Sequence, residues 1–362
     1  MSRLKKLGAS AALVGVIALT AGCGSSSGGD TGGSASADSG DKPLIGFSLR
    51  FIAGNPWLAT LARDAKTAGA RAGYTVDTVD ARGDAVAQIE QMQSYINRGA
   101  KAIIIEPVSD QAVASGIAAA NAAGVPVVVV NDRVSDELAK TVACNIHDDA
   151  IRTAELIGAH TAEIADRKLP RGAPIKLYVQ AIFPQELVTQ TREDGFMKGW
   201  NDYFEAHPGR RITKLPNIYG RAQPDATLRA MRATLAANPD VNVIYNQSDI
   251  VWGAIEQSLK ESGLMSEDGR TDVIAASFDG DMDLITRMAN DPNFPVVAEA
   301  LGEPRTQANY AIEEAVAAIR GERSGNCEGD PPTINLPPTA VTTETAREYV
   351  DDSSPYAYSK QR

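Results

Sequence analysis

The segment GVPVVVVNDRV, residues 124–134, contains the pattern that determines the fold class. Its valines, interrupted only by Pro126, are followed at once by Asn131, Asp132 and Arg133. A continuous apolar run of this kind is typical of a strand that is buried on both faces of a parallel sheet. The polar residues come at the carboxyl end of that strand, where open α/β sheets bind their ligands. The segment therefore predicts a buried strand that ends in either a surface loop or a ligand site.

The same alternation of short β-branched runs and Ala-rich stretches extends over most of the chain. In the first half, strands are predicted at 44–49, 74–80, 102–108 and 125–130, and helices at 57–72, 84–97 and 110–123. After Asn145, strands are predicted at 175–182, 241–247, 272–278 and 295–301, and helices at 148–166, 188–206, 223–237, 250–263 and 304–320. Two such series in a chain of 362 residues predict an α/β protein with two doubly wound lobes, each around a parallel sheet.

The first 22 residues have the features of an export signal: a basic start followed by an apolar stretch too short to span a membrane stably. Cys23 follows in LTAGC, which resembles the lipobox of bacterial lipoproteins, with Thr20 where that motif usually has Leu. Residues 24–41 are rich in Gly and Ser and predict a flexible tether. We expect an acylated Cys23 that anchors an extracytoplasmic protein to the cell membrane. A plain secretory signal with an incidental cysteine is the alternative.

The charge of the chain limits its partners. Without the signal, 32 of the 35 basic residues remain against 46 acidic residues, a net charge of −14. Such a surface repels phosphate backbones, so nucleic acid is not expected as a partner. Cys144 and Cys327 are the cysteines besides Cys23. In an oxidising compartment they either form a disulfide or stay free, and their spacing in sequence does not decide between the two.

Polar side chains recur where the predicted strands end. They are Asn55 with Trp57, Glu106, Asn131 to Arg133, Gln247 to Asp249, Asp279, Glu299 and Glu303. A single polar residue after a strand is more often a helix cap or a turn residue than a ligand contact. Their recurrence at one edge of both sheets predicts a binding site there.

Several blocks of the sequence resemble the type I periplasmic solute-binding proteins. They include GFSLRFIAGNPWLATLARDAKTAGARAGYTV, RGAKAIIIEPVSDQAV, AAGVPVVVVNDRV, QSDIVWGAIEQSLKESG and VIAASFDG, in the order that the family has them. The nearest branch is that of the ribose- and galactose-binding proteins, and the likeness covers residues 43–340. It implies two Rossmann-like lobes joined by a three-segment hinge, which close around a monosaccharide and deliver it to an ABC permease. The expected lobes are 43–145 with 303–334, and 146–302 with 335–362.

The resemblance also implies which residues bind the ligand. They are Asn55, Trp57, Glu106, Asp132, Arg133, Gln190, Arg192, Ser248, Asp249, Asp279 and Glu303. The chain departs from the family pattern at several of them. Glu106 and Ser248 stand where the family usually has asparagine, and Gly302 stands where it has glutamine, a contact that Glu299 or Glu303 could supply. The second-lobe arginine of the family aligns with Gln190, and Arg192 lies beside it.

These residue types suit a small polyhydroxylated solute. Carboxylates accept hydrogen bonds from hydroxyl groups, arginine donates them, and Trp57 offers a flat face to the C–H side of a sugar ring. We therefore expect a sugar or polyol ligand, a monomer, and no cofactor or metal, because the histidines show no metal-ligand spacing. An amine-bearing solute or a sensory role remains open. A glycosidase would need two opposed carboxylates, and the family resemblance argues against an enzyme.

Overall fold

The computed structural model describes residues 42–350, and the bounds of the elements are as follows. The strands are β1 Leu44–Leu49, β2 Thr75–Asp80, β3 Ala102–Ile105, β4 Val127–Val130, β5 Cys144–Asp148, β6 Ile175–Ala181, β7 Ile212–Lys214, β8 Ile218–Tyr219, β9 Val243–Asn246, β10 Ile274–Asp279, β11 Val296–Leu301, β12 Thr333–Leu336 and β13 Ala340–Thr342. The helices are α1 Pro56–Arg71, α2 Ala85–Asn97, α3 Asp110–Ala122, α4 Asp136–Ala139, α5 Ala150–Lys168, α6 Leu187–Ala206, α7 Pro224–Ala237, α8 Trp252–Glu261, α9 Met282–Asn290, α10 Pro304–Ile319 and α11 Ala346–Tyr349.

The predicted export signal 1–22, the predicted lipidation site Cys23 and the predicted tether up to residue 41 lie outside the described residues. Within residues 42–350, no helix is both long enough and apolar enough to cross a membrane.

The strands form two sheets, one in each lobe. The first sheet is parallel and has the order β12-β5-β4-β3-β1-β2. The second has the order β13-β11-β10-β9-β6-β7, with β8 paired to β6, and only β13 runs antiparallel to its neighbour. The predicted architecture of two doubly wound lobes is confirmed.

The central strands are buried on both faces because helices cover both sides of each sheet. In β4, Val128 and Val130 belong to the core beneath α1 and α10, whereas Val127 and Val129 belong to the core beneath α2 and α3. All four valines are fully buried. Since successive side chains of a strand point to opposite faces, a strand between two cores must be apolar throughout, which explains the valine run.

The chain passes between the lobes three times: after β5, at Gly302 and Glu303 between β11 and α10, and between β12 and β13. The expected lobe boundaries at 145/146 and 334/335 fall inside β5 and β12, and both strands pair entirely within the first sheet. The first and third crossings therefore follow Asp148 and Leu336. β5 was not predicted as a strand because the polar but buried side chains of Asn145 and His147 interrupt its apolar run.

A disulfide joins Cys144 of β5 to Cys327 of the segment before β12, with the two Cα atoms 6.0 Å apart. This separation lies within the usual range for disulfides. The bond connects the central part of the first sheet to the chain that returns from α10. Because both sulfur atoms are used in the bond, neither is available as a thiolate ligand for a metal.

Candidate functional site

The carboxyl ends of the two sheets face each other across a cleft that contains a cavity, which we call the inner cavity. It holds about 450 Å³ of space that is free of protein atoms and includes open solvent. The first lobe contributes Arg50, Phe51, Asn55, Trp57, Leu58, Glu106, Asn131 and Asp132, and the second contributes Ile182, Phe183, Val188, Arg192, Ala222, Ser248 and Asp279. Strand ends therefore supply most of the polar lining, as the sequence predicts.

The first lobe places a buried arginine at the end of β1. Arg50 is only 6% exposed, and its guanidinium group forms an ion pair with the Asp132 carboxylate. Its Nε also donates to the carbonyl oxygen of Pro107 at 2.9 Å. These contacts fix the guanidinium group against the ends of β3 and β4. Asp132, at the end of the valine strand, therefore lines the inner cavity rather than an exposed surface loop.

Glu106 lies behind this ion pair at the end of β3. Its Oε2 accepts a 2.8 Å hydrogen bond from the backbone N–H of Arg50, and its Oε1 accepts a 3.3 Å bond from Nδ2 of Asn131. The side chain is 1% exposed. Burial raises the pKa of Glu106 to about 7, although the nearby Arg50 opposes the shift.

The second lobe repeats this arrangement with different elements. Nη1 of Arg192, on α6, lies 2.7 Å from Oδ1 of Asp279 at the end of β10, and Ser248 Oγ donates to Oδ2 of Asp279 at 2.7 Å. The Arg192 guanidinium carbon lies 4.0 Å from the centroid of the Phe278 ring. Each lobe thus presents one buried arginine–aspartate pair to the inner cavity.

Two of the lining residues have unusual backbone conformations. Asn131 has φ = 68° and Asp279 has φ = 119°, in the region that favours glycine. Strained backbone at non-glycine residues is concentrated at functional sites. Both residues directly follow or end a central strand, so the strain lies where the chain turns at the cavity.

Trp57 and Asn55 lie at the start of α1. Asn55 Oδ1 accepts a 3.0 Å hydrogen bond from the backbone N–H of Leu58, so the side chain caps the helix as well as lining the cavity. The Trp57 indole packs against the hinge: a Cβ atom at Gly302 would lie 2.7 Å from its Nε1. A side chain at residue 302 would therefore displace the indole or the hinge backbone.

Asp249, which the sequence interpretation placed in the site, does not line the inner cavity. Its Oδ2 accepts a 2.7 Å hydrogen bond from the backbone N–H of Asp281, and Ser277 donates to its Oδ1. Glu299, behind the same turn, accepts a 3.0 Å bond from the N–H of Gly280. Burial raises the pKa of both Asp249 and Glu299 well above the ordinary range, and repulsion adds to the shift, from Asp279 and Asp281 at Asp249 and from Asp249 at Glu299. The two carboxyl groups support the turn that carries Asp279.

Three further predicted residues lie away from the inner cavity. Gln190 is exposed, because it is two positions from Arg192 on α6 and therefore points to the opposite side of the helix. Arg133 is partly exposed and pairs with Asp136, with 3.4 Å between Nη2 and Oδ1, beside a neighbouring cavity. Glu303 lies at the hinge, where its Oε2 accepts a 2.8 Å bond from the Thr306 hydroxyl group.

Arg50 and Phe183 are among the lining residues that the sequence interpretation missed. Each directly follows a predicted strand, so the rule that ligands meet the carboxyl ends of strands could have identified both.

Gln307, which the sequence interpretation also missed, is fully buried on α10 and connects the site to the hinge. Its Oε1 accepts a 2.8 Å bond from the N–H of Asn131, and its Nε2 donates to Asp148 Oδ2 at 3.0 Å. Burial raises the pKa of Asp148 to about 7.

A sequence model described as a periplasmic binding protein domain matches residues 45–323. The chain belongs to this family. The ribose import binding protein of Bacillus subtilis is 24% identical over 290 residues, which cover 79% of this chain and 86% of the relative. The D-apiose import binding protein of Actinobacillus succinogenes is 25% identical over 274 residues, which cover 76% of this chain and 81% of that protein.

Solved structures of the family share the fold. An ABC transporter solute-binding protein from Mycobacterium smegmatis with bound glycerol has a TM-score of 0.72 and 28% identity, covering 87% of this chain and 99% of that one. One from Bacillus halodurans with bound myo-inositol has a TM-score of 0.71 at 18% identity, covering 86% of this chain and 98% of that one. The protein is therefore a member of the sugar-binding group of ABC transporter substrate-binding proteins, which act outside the cytoplasm and are not enzymes.

Proposed function

We propose that this periplasmic binding protein captures a monosaccharide or polyol in the inner cavity and delivers it to an ABC permease, and that acylated Cys23 anchors it to the membrane. The proposal rests on one observation: two ion pairs line the same cavity from opposite lobes. They are Arg50 with Asp132 and Arg192 with Asp279.

The two ion pairs suit hydroxyl groups. A hydroxyl group both donates and accepts, and each pair offers guanidinium donors next to carboxylate acceptors. Bonds to charged groups are stronger than those between neutral groups. Since each arginine is already balanced by an aspartate, a neutral ligand leaves no net charge uncompensated. Trp57 and Phe183 add apolar ring faces for the C–H side of a sugar.

The same arrangement argues against an amine-bearing ligand. A cationic solute in the inner cavity would lie close to both Arg50 and Arg192, and repulsion between like charges is costly away from water. The carboxylates Asp132 and Asp279 are already paired with those arginines.

Closure of the two lobes gives the ligand-bound protein a conformation that a permease can recognise. Because the lining comes from both lobes, a ligand binds fully only when the lobes are together, so binding shifts the population toward the closed state. The three hinge segments allow this motion without breaking either sheet.

The proposal is tested by a thermal-shift screen of the purified full chain, stripped of bound ligand, against aldoses, ketoses, polyols, amino acids and polyamines. A ligand at about 1,000 times its Kd stabilises a protein by roughly 4 kcal/mol, a large shift in Tm. We expect hits only among sugars or polyols. Hits only among amines or amino acids would overturn the proposed ligand class, and the absence of any hit among sugars and polyols would contradict it as well.

A further inference from the structure

A second cavity, which we call the outer cavity, adjoins the inner one at the mouth of the cleft. The two share Arg50, Phe51 and Phe183 in their lining. The outer cavity holds about 1080 Å³ of space that is free of protein atoms and includes open solvent. A single sugar ring in the inner cavity would leave this space unfilled.

Both lobes build the outer cavity. Asp80, which ends β2, and Arg82 come from the first lobe, and Glu186 and Arg221 come from the second. Its lining combines aromatic rings with cationic and anionic side chains, as does that of the inner cavity. Apolar clefts with a few convergent polar groups are the usual form of small-molecule sites.

Backbone strain extends from the inner cavity into the outer one. Among residues 42–350, the non-glycine residues with positive φ are Arg82, Asn131, Gln185, Arg221, Ala222 and Asp279. Asn131, Ala222 and Asp279 line the inner cavity, Arg82 and Arg221 line the outer cavity, and Gln185 precedes the lining residue Glu186. Since strain at non-glycine residues marks functional positions, its distribution indicates that both cavities belong to one binding region.

We infer that the outer cavity is a subsite for a second hydroxylated unit, so that the ligands of this protein include disaccharides and other glycosides. The inference rests on the proposed function of the inner cavity. The half-buried rings of Phe51 and Phe183 lie at the junction, where they can contact the C–H faces of both units.

The hydrogen-bonding groups of the outer cavity match such a unit. Within the described part of the chain, the guanidinium groups of Arg82 and Arg221 form no ion pair and no hydrogen bond with protein, so both can donate to hydroxyl groups. Asp80 and Glu186 add carboxylate acceptors to the same lining. Donors and acceptors of opposite charge balance each other, which favours a neutral sugar unit over an ionic substituent.

The first experiment compares the Kd values of saccharides that share a unit, measured by calorimetry on the full chain. The probes are D-xylose with xylobiose, D-glucose with cellobiose, D-galactose with melibiose, and myo-inositol with galactinol. We expect at least one disaccharide or glycoside to bind more tightly than its own monosaccharide or cyclitol. If a single-unit probe binds and every two-unit probe binds more weakly than its partner, the subsite is absent while the proposed function stands. If no probe in either set binds, both fail.

The second experiment changes the outer cavity alone. Arg82→Asn and Arg221→Asn remove a guanidinium group but tolerate positive φ, since asparagine adopts this conformation more readily than most residues. We expect each substitution to weaken the binding of two-unit ligands about tenfold, because a hydrogen bond from a charged donor is lost. The binding of single-unit ligands should not change. Arg229→Asn, an exposed position on α7 outside both cavities, is the control. Equal losses for both ligand sizes, or no loss beyond that of the control, would overturn the assignment.

Discussion

Arg50 of the first lobe and Phe183 of the second contact each other across the cleft: the guanidinium carbon lies 5.5 Å from the ring centroid. This is a cation–π contact between the lobes, and it involves a side chain that is also paired with Asp132. Movement of one lobe away from the other would break it. Arg50, which lines the inner cavity, therefore also helps to hold the cleft closed.

Replacing Phe183 with alanine should weaken both the closed state and the ligand site. The variant loses the contact with Arg50 and one apolar wall of the inner cavity. A cation–π contact contributes about 0.5–2 kcal/mol, depending on its exposure to water, so we expect roughly a threefold to thirtyfold rise in Kd. Calorimetry measures the affinity, and small-angle scattering of the ligand-free protein measures opening. Phe183→Leu is the matched control for lost hydrophobic area. Equal affinities of wild type and Phe183→Ala would refute the role.

Asp132 and the nearby Asp136 provide a second test. Asp132→Asn removes the charge that balances Arg50 and weakens an acceptor for ligand hydroxyl groups. Loss of one member of a buried charged pair costs about 2–5 kcal/mol, so binding should weaken at least 30-fold. Asp136→Asn is the control, because Asp136 is exposed and pairs only with Arg133 at the surface. Normal affinity in Asp132→Asn, with retained Tm, would place Asp132 outside the site.

The fold follows from local sequence patterns, whereas the details of the site depend on three-dimensional contacts. Continuous apolar runs such as β3 and β4 identify buried parallel strands, and they were predicted correctly. β5 escaped prediction because Asn145 and His147 are buried polar residues. α9 was also missed, although it has a strongly one-sided apolar face.

For the site residues, too, some features follow from the sequence and others depend on three-dimensional contacts. Position after a strand was enough to identify Glu106, Asp132 and Asp279. It could not distinguish Asp132, which faces the cavity, from Arg133, whose side chain turns toward Asp136. Nor could it show that Asp249 lies behind the cavity and binds the N–H of Asp281. The partner of Asp249 is distant in sequence and that of Arg133 is only three positions away, so the place of a residue after a strand does not by itself give the direction of its side chain.

Gly302 offers a test of how tightly the hinge supports Trp57. A Cβ atom at residue 302 would lie 2.7 Å from Trp57 Nε1 and 3.2 Å from Asp148 Oδ2, so Gly302→Ala must displace the indole or the hinge. Overpacking of this kind costs about 1–3 kcal/mol, and we expect roughly a tenfold loss of affinity. Intrinsic tryptophan fluorescence reports the movement of the ring. Gly253→Ala, where a Cβ atom meets no other atom within 4 Å, is the control. Unchanged affinity would show that the ring can move without cost.

The proposed anchor is tested at Cys23. Replacement with serine removes the thiol that would be acylated, so we expect the protein to move from the membrane pellet to the soluble fraction of fractionated cells. Ser25→Ala, in the adjoining tether, is the control and should stay in the pellet. If the wild-type protein is already soluble, the signal is a plain secretory one and Cys23 is not a lipidation site.

Glu299 and Asp249 predict a pH dependence of stability. Burial raises the pKa of both carboxyl groups well above their ordinary values. A group whose pKa is raised on folding favours the folded state while it is protonated, and that advantage is lost as pH rises from the unfolded pKa, about 4.3 for Glu, toward the folded one. The contribution of these two groups to the free energy of unfolding should therefore decrease as pH rises above about 4.3.

Glu299→Gln isolates this contribution. The amide keeps an oxygen that can accept from the N–H of Gly280 but cannot ionise, so the variant should lose less stability than wild type over the same rise in pH. Glu106 and Asp148, whose pKa values are raised to about 7, give a decrease of the same sign and remain in both proteins. Urea unfolding at a series of pH values between about 4.5 and 8 measures the difference. Glu163→Gln, an exposed position on α5, is the control and should follow the wild-type profile. Parallel profiles for Glu299→Gln and wild type would mean that Glu299 is ionised in the folded protein and that its charge is compensated by neighbouring groups.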